Sequence, residues 1–234
     1  MFVDPLAEQF VGWTPYHYVH NNPINLIDPT GMSAEWIPGK NGSEYKDRVT
    51  YKEVNGKIEF ENLQDDLKPL FEELAKTESG KNELISLIDD KDMKVSIFTN
   101  DEKKINYDHN IKKDTGVHGT FFPKKYNDDK TAVTEAEIYI YQGWRKEEFK
   151  EHGSSESSYI IQSGKAYYYK DFTQQQFSAG DLMHEIRHRY PNNLRSLAPT
   201  GTDTEFNPNF MQGKVFDEML INKQQNNGSK KRRR

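Results

Sequence analysis

Apolar residues recur at helical spacing in two neighbouring stretches: Leu67, Leu70, Phe71 and Leu74, then Leu84, Leu87 and Ile88. That period turns one face of each segment toward a core and predicts helices over 67–76 and 81–88, with Gly80 breaking them apart. Elsewhere the pattern is that of strands. Residues 93–99 form a short apolar run, and EIYIYQ at 137–142 alternates as a half-buried strand does. Two hairpins are expected where strand-like runs flank a turn dipeptide: 49–54 with 57–61 around Asn55-Gly56, and 158–162 with 165–169 around Ser163-Gly164. Two further helices are expected near 178–190 and 208–225. The mixture predicts one α+β domain over residues 33–225.

Residues 1–32 have a different character. They hold four of the chain's ten prolines and the turn dipeptides Asp4-Pro5, Asn22-Pro23, Asp28-Pro29 and Thr30-Gly31, with Trp13, Tyr16 and Tyr18 between them. A string of tight turns and short strands cannot bury its own aromatics, so it reads as the edge of a larger β structure. At the other end, residues 226–234 finish in KKRRR and read as a solvated, disordered tail, with a nucleic-acid-binding or nuclear-localisation run as the other reading.

Composition narrows the possibilities. Hydrophobic residues are only 34% of the chain and mean hydropathy is -0.97, but 13 Tyr and 13 Phe can build a core from rings. A net charge of -5 argues against nucleic acid as the main partner, because phosphate binding needs a basic surface. The absence of cysteine rules out thiolate zinc sites and disulfide staples. No apolar run approaches the roughly 18–20 residues of a membrane span. Nor does a signal peptide follow Met1, so export is expected to depend on another carrier.

The segment that points to chemistry is FSAGDLMHEIRHRYP, which contains His184-Glu185-Ile186-Arg187-His188. On a helix, residues four apart lie one above the other, so His184 and His188 can turn two imidazoles toward one metal ion. Glu185 adjoins the first histidine and faces the same cleft without coordinating, the position of a general base. Ser178 with Asp181 suggests a capping box, and Pro191 a stop. The 137–142 strand suits a sheet edge that takes up an extended peptide. Zinc is the expected ion. A third ligand is needed, and Glu218 is the first candidate, with Asn222 one turn on as a supporting amide; Asp217 and then Glu205 follow. His118 is the best histidine alternative, though its residue type in GVHGTFF is more often a plain strand or loop position. Tyr190 and Arg187 are both candidates for stabilising an oxyanion.

Residues 1–32 resemble the C-terminal end of an Rhs repeat-associated core through Asp4-Pro5-Leu6-Ala7, Trp13-x-Pro15-Tyr16-x-Tyr18-Val19, Asn21-Asn22-Pro23-Ile24 and Asp28-Pro29-Thr30-Gly31. That resemblance implies a β-cage followed by a toxin domain. Autoproteolysis by the motif aspartates, here Asp4 and Asp28, would release the toxin between Met32 and Ser33. The remainder is similar to metallopeptidase toxin domains of polymorphic toxin systems. This implies a zincin-like fold with a small mixed or antiparallel sheet, a substrate protein in the target cell and a cognate immunity protein. It also implies secretion by a contact-dependent or contractile machine. The resulting expectation is a secreted toxin acting as a zinc endopeptidase. Against it stand a nuclease using the His, Glu and Arg cluster around 184–189, and a binding domain without catalysis.

Overall fold

The computed structural model describes residues 37–40, 47–108 and 113–231, and within that span it has a mixed α+β fold with small sheets. Both expected hairpins form. Strands β1 (Thr50–Val54) and β2 (Lys57–Glu61) pair antiparallel, as do β8 (Tyr159–Gln162) and β9 (Lys165–Tyr168). Their turns need left-handed backbone at both central residues, which Asn55 and Gly56 (φ 51° and 75°) and Ser163 and Gly164 (φ 50° and 76°) supply.

The paired helices also form, as α1 (Lys68–Ala75) and α2 (Glu78–Ile88). Gly80 is not the breaker. It lies buried in the first turn of α2, where its N–H donates to the side chain of Thr77, the helix cap. A Cβ there would come within 2.4 Å of the Leu74 carbonyl oxygen, so glycine is what lets the two helices meet so closely.

The central sheet has three strands in the order β3 (Lys94–Asn100), β7 (Val133–Tyr141), β6 (Gly119–Tyr126). Strand β3 runs parallel to β7 and β6 antiparallel, so the sheet is mixed. Residues 137–141 of the expected strand therefore belong to a central strand and not to the edge anticipated for it, and Gln142 already opens the helix that follows. The flanking strand β6 carries Pro123 beside a register shift, and proline is tolerated on an edge or at a bulge because it has no N–H to give. A separate two-stranded ribbon, β4 (Lys104–Asp108) with β5 (Lys113–Val117), precedes β6.

One face of the central sheet, with Val95, Ile97, Phe121, Ala136, Ile138 and Ile140 buried, packs against helices. Of these, α4 (Gln174–Arg187) lies against β6, β7, α1 and α5 (Phe206–Lys231), and α3 (Gln142–His152) packs beside it. Rings do supply much of the core. Phe177 on α4 contacts Phe149, Tyr169, Phe172 and Phe216 with centroid separations of 5.0–5.3 Å. Helix α5 runs to Lys231, beyond the expected domain end at residue 225. Among the described residues, no helix is long and apolar enough to cross a membrane. Asp4, Asp28, Met32 and Ser33, and with them the Rhs-like segment, lie outside the described residues.

Candidate metal centre

Helix α4 begins earlier than its expected cap. Thr173 accepts from the Gln176 N–H at 3.2 Å and the Gln176 side chain accepts from the Thr173 N–H at 2.9 Å, a complete capping box. Ser178 and Asp181 are buried in the helix interior instead, and Asp181 forms a two-pronged ion pair with Arg145 of α3, both contacts 2.8 Å. The helix ends at Arg187 with His188 as its C-cap.

This geometry brings three donor atoms together. The Nε2 atoms of His184 and His188 are 3.2 Å apart, and Oε2 of Glu205 lies 3.1 Å from the first and 3.7 Å from the second. The group can hold a metal ion. Donors about 2.0–2.1 Å from a tetrahedral ion sit roughly 3.3 Å from one another, which matches these separations. Around the ring of His188, the Asn193 carbonyl 2.5 Å from Nδ1 can only accept, so Nδ1 carries the proton and Nε2 keeps its lone pair for a ligand. Burial lowers the pKa of His188, which favours the same neutral form. Burial also works to lower that of His184, but the Glu205 hydrogen bond and the nearby carboxylates raise it overall. Glu205 is lowered in turn by its bond to His184.

The expected third ligand is elsewhere. Glu218 accepts from the N–H and the hydroxyl of Ser79 at 2.9 and 2.6 Å, closing the N-terminus of α2. Its expected helper, Asn222, donates to the Lys76 carbonyl at 2.8 Å, and Asp217 pairs with Lys165. The physical reason is where α5 starts. With Phe206 as its first residue, Glu218 lies roughly 18 Å further along the helix axis, whereas Glu205 sits at the helix entrance beside the histidines.

Glu185 is 7% exposed and outside the donor group. Burial raises its carboxyl to about 8, with Glu205 and Asp181 adding to the rise and the charge of His184 and the Phe121 N–H opposing it. Strand β6 explains that last contact. The Tyr141 N–H donates to the His118 carbonyl, and in an antiparallel ladder the next residues with outward main-chain groups are Gly119 and Phe121. The outer edge of β6 thus faces Glu185. Gly119 touches it so closely that a Cβ would lie 2.6 Å from the Glu185 Cγ and Oε1.

Beside these groups lies a polar cleft of about 200 Å³, whose lining includes His118, Gly119, Arg145, Asp181, His184 and Glu185. Its wall is a chain of charges. Arg145 holds Asp181 and, at 2.8 Å, Glu148, which in turn lies 3.0 Å from Nε2 of His118. Burial works against ionisation of Glu148, but the His118 hydrogen bond and the Arg145 charge outweigh it and hold the carboxyl at about 2. A carboxyl whose pKa is lowered in the fold adds stability above its ordinary value, and loses it as pH falls through the lowered one. The stability difference between wild type and Glu148→Gln should therefore be full above about pH 4.5 and vanish toward about pH 2. Urea titrations of both proteins across that window check it, and a difference that persists unchanged at the acid end would refute it.

Neither candidate oxyanion stabiliser lines the cleft. Arg187 donates to Glu83 and Asn207, Tyr190 donates to Glu83, and buried Arg189 bonds Glu83 and Asp90. These arginines clamp the end of α4 to α2 and are not free for a phosphate. Removing one partner of a buried pair leaves an uncompensated charge, so Glu83→Ala should cost about 3–5 kcal/mol by chemical denaturation. A loss under about 1 kcal/mol, the range of surface pairs, would show that the clamp is not needed. His17, His20 and His109 lie outside the described residues, and His152 contacts Ser158 and Glu151.

The chain matches no protein-family model, no curated protein and no solved structure.

Proposed function

We propose that this protein is a zinc-dependent endopeptidase with a zincin-like arrangement, acting as the toxin domain of an Rhs-type effector. The observation that carries the reading is the convergence of His184, His188 and Glu205 on one point, with buried Glu185 beside that point and outside the donor set. His184, His188 and Glu205 would hold the ion. Zinc bound there supplies a Lewis acid and lowers the pKa of water toward about 7. The protein's own residues do the rest. Glu185, steadied by the Phe121 N–H, takes the proton of the attacking water and passes it to the leaving amine. The outer edge of β6, turned toward Glu185, offers main-chain groups to an extended peptide, the task the sequence pattern assigns to 137–142. Two imidazoles and a carboxylate suit zinc better than magnesium or calcium, which prefer oxygen ligands.

The toxin part of the proposal rests on the Rhs-like residues 1–32 and carries its own consequences: release of the domain with Ser33 as its first residue, delivery into a target cell and an immunity protein in the producer. For the enzyme, zinc-loaded protein should cut a mixture of internally quenched peptides, chelator-stripped protein should not, and added zinc should restore cutting. Plasmid and RNA incubated in parallel should stay intact. Nicked nucleic acid alongside uncut peptides would replace this reading with the nuclease one.

A further inference from the structure

We propose that His118 is a catalytic residue of this site, hydrogen-bonding the substrate at its reacting carbonyl, and that Glu148 with the buried Arg145–Asp181 pair is the frame that positions it. The proposal rests on the peptidase reading and adds to it the group that meets charge developing on the substrate oxygen.

Most polar side chains of the cleft wall are already committed. His184 belongs to the donor set and Glu185 is the base. Arg145 spends its hydrogen bonds on Asp181 and Glu148, Gln212 donates to Asp181, and Gln162 donates to Asn209. His118 is left. Its side chain is 23% exposed, it lines the cleft, and Nδ1 has no hydrogen bond among the described residues. An ionised carboxylate can only accept, so the Glu148 contact puts a proton on Nε2 and leaves Nδ1 for the cleft. Donation to the substrate oxygen needs a proton on Nδ1 as well as on Nε2, and the ring is held for that between two anions, the Glu148 carboxylate on one nitrogen and the developing oxyanion on the other.

The ring is also well placed. His118 directly precedes Gly119, which touches the Glu185 carboxyl, and His118, Gly119 and Glu185 line the same cleft. Its partner Glu148 is on α3, where Arg145 sits one turn earlier and grips Asp181. Asp181 is in turn four residues before Glu185 on α4. The chain of contacts therefore locks the imidazole to the same helix that carries the base and two metal donors. Side chains of Arg145 and Asp181 are 5% and 6% exposed. Burying such a pair carries a desolvation penalty that its attraction barely offsets, so stability alone is a poor reason for it, and fixed geometry at the cleft is a better one.

The test compares zinc-loaded wild type with His118→Ala, His118→Gln and Glu148→Gln, using the quenched peptide that wild type cuts best. Loss of a donor to an oxyanion costs about 10²–10³ in kcat. Both His118 variants should show a fall of that size with KM and zinc content unchanged and cooperative unfolding retained, and Glu148→Gln a smaller fall in kcat. A phosphonamidate analogue of that peptide, tetrahedral and anionic, should bind His118→Ala more weakly by a comparable factor, while a hydroxamate that only chelates the ion binds as before. Wild-type kcat in a folded, zinc-bound His118→Ala protein would overturn the assignment. So would equal losses for both inhibitors or loss of zinc, since those mark a structural role. A wild type that cuts no peptide would overturn the peptidase reading itself.

Discussion

Glu185→Gln should leave the protein folded and zinc-loaded and lower its peptidase rate by about 10²–10⁴, the range typical for loss of a general acid–base group. Glutamine keeps the volume of glutamate in a tight position, 7% exposed and pressed against Gly119, so packing should not change. The Phe121 N–H that steadies the carboxylate can donate equally to an amide oxygen. What glutamine cannot do is take a proton. Zinc should stay because Glu185 is not part of the His184, His188 and Glu205 donor group. In susceptible cells without an immunity protein, wild type should kill and Glu185→Gln should be tolerated, and new protein termini should appear only with wild type. Undiminished killing by folded, zinc-loaded Glu185→Gln would show that the toxicity is not this proteolysis.

The elements legible from sequence share a strong local signal. Asn-Gly and Ser-Gly turns fix the two outer hairpins because few residues tolerate left-handed backbone, and the leucine spacing of 67–88 fixes α1 and α2. Elements that are not legible are held by partners distant in the chain. Helix α3 reads QGWRKEEFKEH, almost wholly polar, and of its side chains Arg145 is buried through ion pairs with Asp181 and Glu148. No hydrophobic period announces such a helix. Strand β6 is hidden by Pro123 and the lysines after it, which resemble a loop but suit a bulged edge. Without β6, 137–142 looks like the edge, and an edge and a central strand differ only in a neighbour that local pattern does not show.

The site divides the same way. His184, Glu185 and His188 are set by helical spacing alone, so a short motif is enough to group them. His118 and Glu205 reach the site through tertiary structure, one from the residue just before β6 and the other from the loop before α5. A weak signal for Glu205 does exist. Asp203 accepts from the Glu205 N–H at 3.0 Å, the local turn that aspartate favours at a helix entrance, and Glu205 lies closer in sequence to His188 than Glu218 does. Arg187 and Arg189 suggest phosphate chemistry only while their partners Glu83, Asp90 and Asn207 are out of view.

Glu205 and Glu218 give the sharpest separation of the structure from the sequence pattern. Wild type should bind about one zinc per chain, since three converging donors make a nearly complete site. Glu205→Ala should reduce that to a trace after dialysis, leaving only the two imidazoles of α4, and should abolish peptide cutting with it. His184→Ala and His188→Ala should do the same. Glu218→Ala should behave in the opposite way. It removes two hydrogen bonds from the N-terminus of α2, a loss comparable to deleting a helix cap, and should cost about 0.5–2 kcal/mol of stability. Zinc and activity should survive it, because Glu218 lies away from the histidines. Elemental analysis of the dialysed proteins, paired with urea unfolding, reads both effects at once. Full zinc in Glu205→Ala together with zinc loss in Glu218→Ala would reverse the ligand assignment. Full zinc in both would mean that the two histidines find their third partner outside this pair of carboxylates.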